Sequence, residues 1–232
     1  MNKPTEVSVR AKISKPKATS KKADLRVWQR MLSGRRLDLA DPSPLDIEVE
    51  DIAHGLARVA RWNGQTQGDH AFSVAQHCLV VVDLLDALSD TQIPDDLRLA
   101  ALLHDGPEYV IGDMISPFKA LLGDGYRSIE NRLEAAIHLR HQLPAQLTAA
   151  QHKAIKQADR VSAYLEATQL AGFAHEEANK LFGKPPIGIT GIKLIPMSAL
   201  EAERAFLARH EVLFTAHLAV CSAQAGASKT VP

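Results

Sequence analysis

From Asp46 to about Val220 the apolar residues of this 232-residue chain recur at intervals of three and four. That period constrains the fold more than any other feature, because it is the mark of helices with one buried face. Ile52, Leu56, Val59 and Ala60 carry it between Asp46 and Trp62, and a Val- and Leu-rich stretch follows from Ala71 to Leu88. A third helix is predicted from about Asp95, after Pro94, through Leu99, Ala100, Leu102 and Leu103 to His104–Asp105. Gly106–Pro107 interrupts it, since proline disfavours the helical region in the residue before it. Further helices are predicted over about Tyr126 to His141 and over Thr148 to Ala171, with Thr148 as N-cap and Gly172 past the end. A last one covers Ser198 to about Val220, and the alternating Pro, Gly and Ile of Gly183 to Pro196 suit a loop or a short hairpin. No internal repeat is present. The expectation is an all-α fold of about seven or eight helices in one domain over residues 27–220, with flexible ends.

Charge divides the chain differently. The 27 basic and 27 acidic residues cancel overall, but residues 1–26 hold eight basic and two acidic ones, a net of +6. The remainder, with 19 basic and 25 acidic residues, carries −6. The basic segment lacks an apolar period and is predicted to be a disordered arm, either merely solvated or in touch with nucleic acid or another anionic partner. Residues 221–232 are small and polar and are predicted to fray. No run of about 18 apolar residues exists to span a membrane, and no signal-peptide core is present, so a cytoplasmic location is expected. Two cysteines, Cys78 and Cys221, are too few for a disulfide framework or a Cys-based zinc site. Aromatic residues at 5% argue against a stacking platform for single-stranded nucleic acid.

The chemistry must therefore come from the ten histidines and the carboxylates. An HExxH motif is absent: Glu176 follows His175, but residue 179 is Asn. His138 and His141 stand three apart on a polar helix, where surface decoration is the simpler reading than a shared metal. His152, His175, His210 and His217 have no partners at ligand spacing. His104–Asp105 differs, because two polar side chains emerge from the apolar run Leu99-Ala-Ala-Leu-Leu. A solvent-facing helix end explains that pair as well as a metal does. His77 sits among Val74, Val80 and Val81, and Asp159 between Ile155 and Ala163, so both point inward. Buried carboxylates need a cation or donors, and either residue alone is equally explained as a satisfied core residue. Three inward polar intrusions on three helices supply two imidazoles and two carboxylates, a nitrogen–oxygen set suited to a divalent ion.

The order His77, His104–Asp105, Asp159 resembles the HD-domain metal-dependent phosphohydrolases. The segments SVAQHCLVV (73–81), AALLHDGPEYVIGDMISPFK (100–119) and IKQADRVSAYLEA (155–167) are similar to the 5′-deoxynucleotidase-like branch of that superfamily, over about residues 45 to 170. The resemblance implies one divalent metal (Mn, Co, Fe, Zn or Mg) held by His77, His104, Asp105 and Asp159. It implies Glu108 and Asp113 as the acidic catalysts, Asp113 orienting or activating water. Arg61 and Trp62, the Arg–aromatic pair before the first histidine, and Lys119 are implied to bind substrate, with Arg61 gripping phosphate. In one respect the sequence departs from the pattern: Gly106–Pro107 stands where related sequences carry small, helix-compatible residues, which bears on how Glu108 is placed.

The implied function is metal-dependent release of phosphate from a nucleotide, with a nucleoside 5′-monophosphate first. Alternatives within the superfamily are a nucleoside triphosphate, a cyclic dinucleotide or an alarmone as substrate. A non-catalytic metal- and nucleotide-binding regulatory module is the alternative from another class. The acidic body argues against nucleic acid as the main ligand. Homodimerisation is common among relatives and stays open here, since no heptad or interface pattern marks it.

Overall fold

The computed structural model of the protein describes residues 26–227, so the predicted basic arm, Arg26 apart, and the last five residues lie outside the described part. A short antiparallel hairpin comes first, β1 (Trp28–Arg30) with β2 (Arg36–Asp38). Nine α-helices follow among the described residues. They are α1 (Val49–Leu56), α2 (Val74–Ala87), α3 (Asp95–Leu102), the single turn α4 (Glu108–Ile111), α5 (Ser116–Leu122), α6 (Asp124–Arg140), α7 (Ala149–Gln169), α8 (His175–Phe182) and α9 (Ala199–Ala227). The all-α expectation holds, and no helix among the described residues is long and apolar enough to cross a membrane.

Helix α2 is the hub. Ser73 caps it, its hydroxyl accepting from Gln76 N at 3.3 Å, and ten of its fourteen residues are buried. With apolar side chains on every face it must be surrounded, and α3, α7 and α9 pack around it. Helix α7 begins as its sequence predicts: Thr148 and Gln151 form a capping box, and Gly172 beyond its end has φ +77°. The long α9 contributes a buried stripe of Ala202, Phe206, His210, Leu213 and His217, spaced four, four, three and four.

Three expectations are corrected. The helix expected to run to Trp62 ends at Leu56, and Arg61–Gly64 form a 3-10 turn in which Trp62 and Asn63 adopt left-handed φ of 57° and 51°. The turn is held against the start of α2 by Arg61 N to Phe72 O (2.8 Å) and Val74 N to Val59 O (3.0 Å). Helix α9 continues past the expected end at Val220 to Ala227, so the first part of the predicted fraying tail is helical. The segment from Gly183 to Pro196 takes the first of its two expected forms, a loop with a 3-10 turn at Ile189–Gly191. Gln76 and Gln169 act as its backbone partners: Gln169 donates to Ile192 O and accepts from Leu194 N, while Gln76 donates to Ile195 O and accepts from Met197 N. Finally, His138 and His141 are not surface residues, being 1% and 3% exposed at the α6 end, where the His141 ring meets His210 of α9.

Two glycines set close approaches. At Gly106 an added Cβ would lie 2.8 Å from Leu103 O and 3.1 Å from Ile137 Cδ1. At Gly55, in α1, it would lie 2.8 Å from the Cβ and 2.9 Å from the carbonyl oxygen of Tyr109 in α4.

Candidate metal centre and active site

His77 enters from the first turn of α2, Asp159 from the middle of α7, and His104 and Asp105 from the turn after α3. They converge. His77 Nε2 lies 3.3 Å from His104 Nε2, 3.4 Å from Asp105 Oδ2 and 3.5 Å from Asp159 Oδ1, and His104 Nε2 lies 3.3 Å from Asp105 Oδ2. The other nitrogen of each ring is engaged: His104 Nδ1 donates to Ala101 O (2.8 Å) and His77 Nδ1 donates to Glu166 Oε1 (2.6 Å). Both Nε2 atoms are thereby left to face each other and two carboxylates. Donors held about 2.1 Å from one ion are separated by about 3.0 to 3.4 Å, depending on coordination geometry. His77, His104 and Asp105 form a cluster that fits a divalent cation, and Asp159 stands beside it at His77, its other oxygen paired with Lys156 at 2.6 Å.

The electrostatics agree. Burial and nearby Arg61 oppose a proton on His77, yet Glu166, Asp105 and Asp159 hold its pKa well above the usual imidazole value. Burial opposes a proton on His104 too and is outweighed by Asp105. Against the same burial, the two imidazoles hold Asp105 well below the carboxylate range, and His77 with His104 lowers Asp159. Positive charge is stabilised here whichever species carries it.

A cleft of about 240 Å³ opens beside the cluster, lined by His104, Asp105, Glu108, Glu134, His152 and Asp159 among others. Pro107 does not carry Glu108 away. It stands just ahead of α4 with helical φ and ψ, Gly106 permits the close turn before it, and Glu108 is buried in the cleft wall. Its Oε1 is 3.4 Å from Lys119 Nζ, while its Oε2 is buried with no hydrogen-bond partner. Burial, with Asp105 and Asp113 adding to it, pushes the Glu108 pKa up to about 8. Asp113 is raised by burial in spite of Arg61, whose Nη1 is 3.6 Å from Oδ2.

The three residues predicted to bind substrate are held by the protein itself. Arg61 Nε donates to Glu166 Oε2 at 3.1 Å, and Trp62 Nε1 donates to the same oxygen at 2.9 Å. The Trp62 ring packs on Phe173 and Phe182, with centroids 5.5 and 5.9 Å away. Lys119 lies between Glu108 and Glu130, 2.9 Å from the latter. The residue absent from the sequence reading is Glu166. It is fully buried, and burial is outweighed by Arg61 and His77, which lower its pKa to about 2. Its signal was available, because Ile155, Asp159, Ser162 and Glu166 are spaced four, three and four, along one face of α7.

An all-helical frame that brings two imidazoles and a carboxylate together beside a buried acid has the donor set that a helical hydrolase with a single metal ion would use. The model of the YfbR-like 5′-deoxynucleotidase family matches residues 52–182, and the chain belongs to that family, within the HD-domain phosphohydrolase superfamily. The matched span includes every site residue named above. The chain is also 59% identical to an uncharacterized protein of Rhodobacter capsulatus over 189 residues, which is 81% of this chain and 96% of that protein. The family is one of hydrolases of nucleotide phosphate esters, and hydrolases of the HD type use divalent metals.

Proposed function

We infer that the protein releases phosphate from a nucleoside 5′-monophosphate, with His77, His104, Asp105 and Asp159 holding one divalent metal. The observation that carries this reading is Glu108: a buried carboxyl oxygen without a partner, in the wall of a cleft shared with three of the four donors. The metal, when bound, supplies neutralisation of phosphate charge and a lowered pKa for water. Arg61 grips the phosphate, its guanidinium aimed by Asp113 and Glu166. Asp113 orients the attacking water and takes its proton as the new P–O bond forms. Glu108, protonated at neutral pH by virtue of its raised pKa, gives its proton to the 5′ oxygen as the old P–O bond breaks.

The cleft favours a monophosphate over a triphosphate. Glu108, Glu130 and Glu134 line it, and its one lysine, Lys156, is paired with Asp159 at 2.6 Å. Among the described residues that line it, no unpaired lysine or arginine is left to meet the further charges of a triphosphate.

The test is a panel of nucleoside mono- and triphosphates with added Mn²⁺ or Co²⁺. Phosphate release from monophosphates, abolished by EDTA, is expected. Glu108→Gln should lower kcat by about 10²- to 10³-fold while the protein retains its metal. Metal bound in stoichiometric amount with no phosphate released from any member would move the assignment to a binding module.

A further inference from the structure

We propose that Glu166 is a positioning residue that joins the metal centre to the phosphate grip, holding His77 and the Arg61–Trp62 pair with one carboxylate. The proposal rests on the reading of His77 as a ligand and Arg61 as the phosphate contact. Four donors converge on the Glu166 side chain. Oε1 accepts from His77 Nδ1 (2.6 Å) and from Ser162 Oγ (2.8 Å), and Oε2 accepts from Arg61 Nε (3.1 Å) and Trp62 Nε1 (2.9 Å). The side chain is fully buried, so no solvent competes for these bonds.

The chemistry of the four partners leaves little choice of residue. At the distances found, Arg61 Nε and Trp62 Nε1 can only donate, and His77 must donate from Nδ1 if Nε2 is to face a metal. Only a carboxylate accepts on both sides. The bond to His77 fixes the ring's tautomer and raises its basicity as a ligand. The bonds to Arg61 and Trp62 hold a turn that needs holding, because Trp62 sits in the left-handed region, which a bulky side chain rarely adopts. The segment that carries the phosphate contact is thus fixed by the same atoms that orient a ligand, and anything that moves one side must be felt on the other.

Glu166→Gln tests this, because it keeps shape and volume but can accept on one side only. If its oxygen faces His77, its NH₂ meets the donors of Arg61 and Trp62. If it turns over, the NH₂ meets His77 Nδ1 and forces the wrong tautomer. Two readouts on the full chain separate these outcomes. One is Co²⁺ affinity, followed by the absorption of the bound ion. The other is Trp62 emission, read in a Trp28→Phe background. A Co²⁺ Kd weakened about 10- to 100-fold, or a shifted Trp62 emission with KM raised and kcat less affected, supports the proposal. Wild-type values of both Co²⁺ Kd and Trp62 emission overturn it. Should the variant fail to fold, imidazole nitrogen spectra of the Zn²⁺-loaded wild type decide: a proton on His77 Nδ1 supports the proposal, and a metal bond at that nitrogen overturns it. Wild-type protein that binds Co²⁺ but hydrolyses no nucleotide defeats the functional reading and leaves these readouts to judge Glu166. Wild-type protein that binds no Co²⁺ overturns both.

Discussion

Two groups of buried histidines lie in this molecule, and they behave in opposite ways. At the α2–α7 site, His77 and His104 are surrounded by Asp105, Asp159 and Glu166 and are held toward the charged state. Where α6 meets α9, the ring of His141 lies 4.9 Å from that of His210, both lie about 5 Å from Phe214, and no carboxylate enters the group. There His138 and His141 bond to the carbonyls of Pro144 and Ile137, and His217 to that of Gln142. Burial lowers the pKa of His138 and His141, and burial with His141 beside it takes His210 down to about 4. The same side chain serves as ligand in one place and as core filler in the other. What separates the two is the company of carboxylates.

The contrast has measurable consequences. The largest is expected for His104→Ala, which removes one of four donors. Co²⁺ retention should fall by more than about a hundredfold and phosphate release to background, whereas His141→Leu should keep its metal. Equal loss in the two variants, by elemental analysis, would erase the distinction. Next comes acid stability. His210 titrates at about 4 when folded and near its ordinary value when unfolded, so the unfolded chain binds more protons between those pH values. Stability should therefore rise with pH across that window and be lost on acidification, by about 3 kcal/mol from this group alone. Urea midpoints from pH 7 to pH 4 should show the loss, and His210→Leu should flatten it. The smallest effect is expected for Cys221→Ser. Its sulfur lies 3.6 Å from His217 Nε2, near enough to suggest a ligand pair, but that nitrogen is taken by Gln142 O. The change should move the thermal midpoint by no more than about 0.5 kcal/mol allows and leave metal content as it was.

How much of this could be read from the sequence follows from how each element is encoded. Helices α2, α6 and α7 are written in a three-four period with local stop and start signals, and they stand within a few residues of their expected ends. His77, His104, Asp105 and Asp159 stood out together in the sequence because polar residues in apolar stretches are costly enough to demand a reason, and the family resemblance supplied one. The hairpin and α5 were not legible, each too short for a period to declare itself, and neither was α8, which buries only Ala178; Leu37, the buried anchor of β2, belongs to no pattern. The end of α1 was missed because the apolar spacing runs on through Val59 and Ala60, while the backbone turns to pair with Phe72 and Val74 at the start of the next long helix. Burial of His141 depends on His210 and Phe214 of α9, about seventy residues on. No property of α6 alone reports it.

Gly55 shows how far from a site its tolerances are set. The residue has no chemistry of its own and lies on a different helix from any proposed catalyst, yet Tyr109, which presses on it, is the neighbour of Glu108. A single methyl at position 55 would act as a wedge driven between α1 and α4. Reactive groups must be held to within about 0.5 Å, and the overlap it would create is of that size or larger. Gly55→Ala should thus slow turnover while Co²⁺ binding, measured in parallel, stays at the wild-type level: the reach of the acid would be limited by what its neighbour's neighbour lacks.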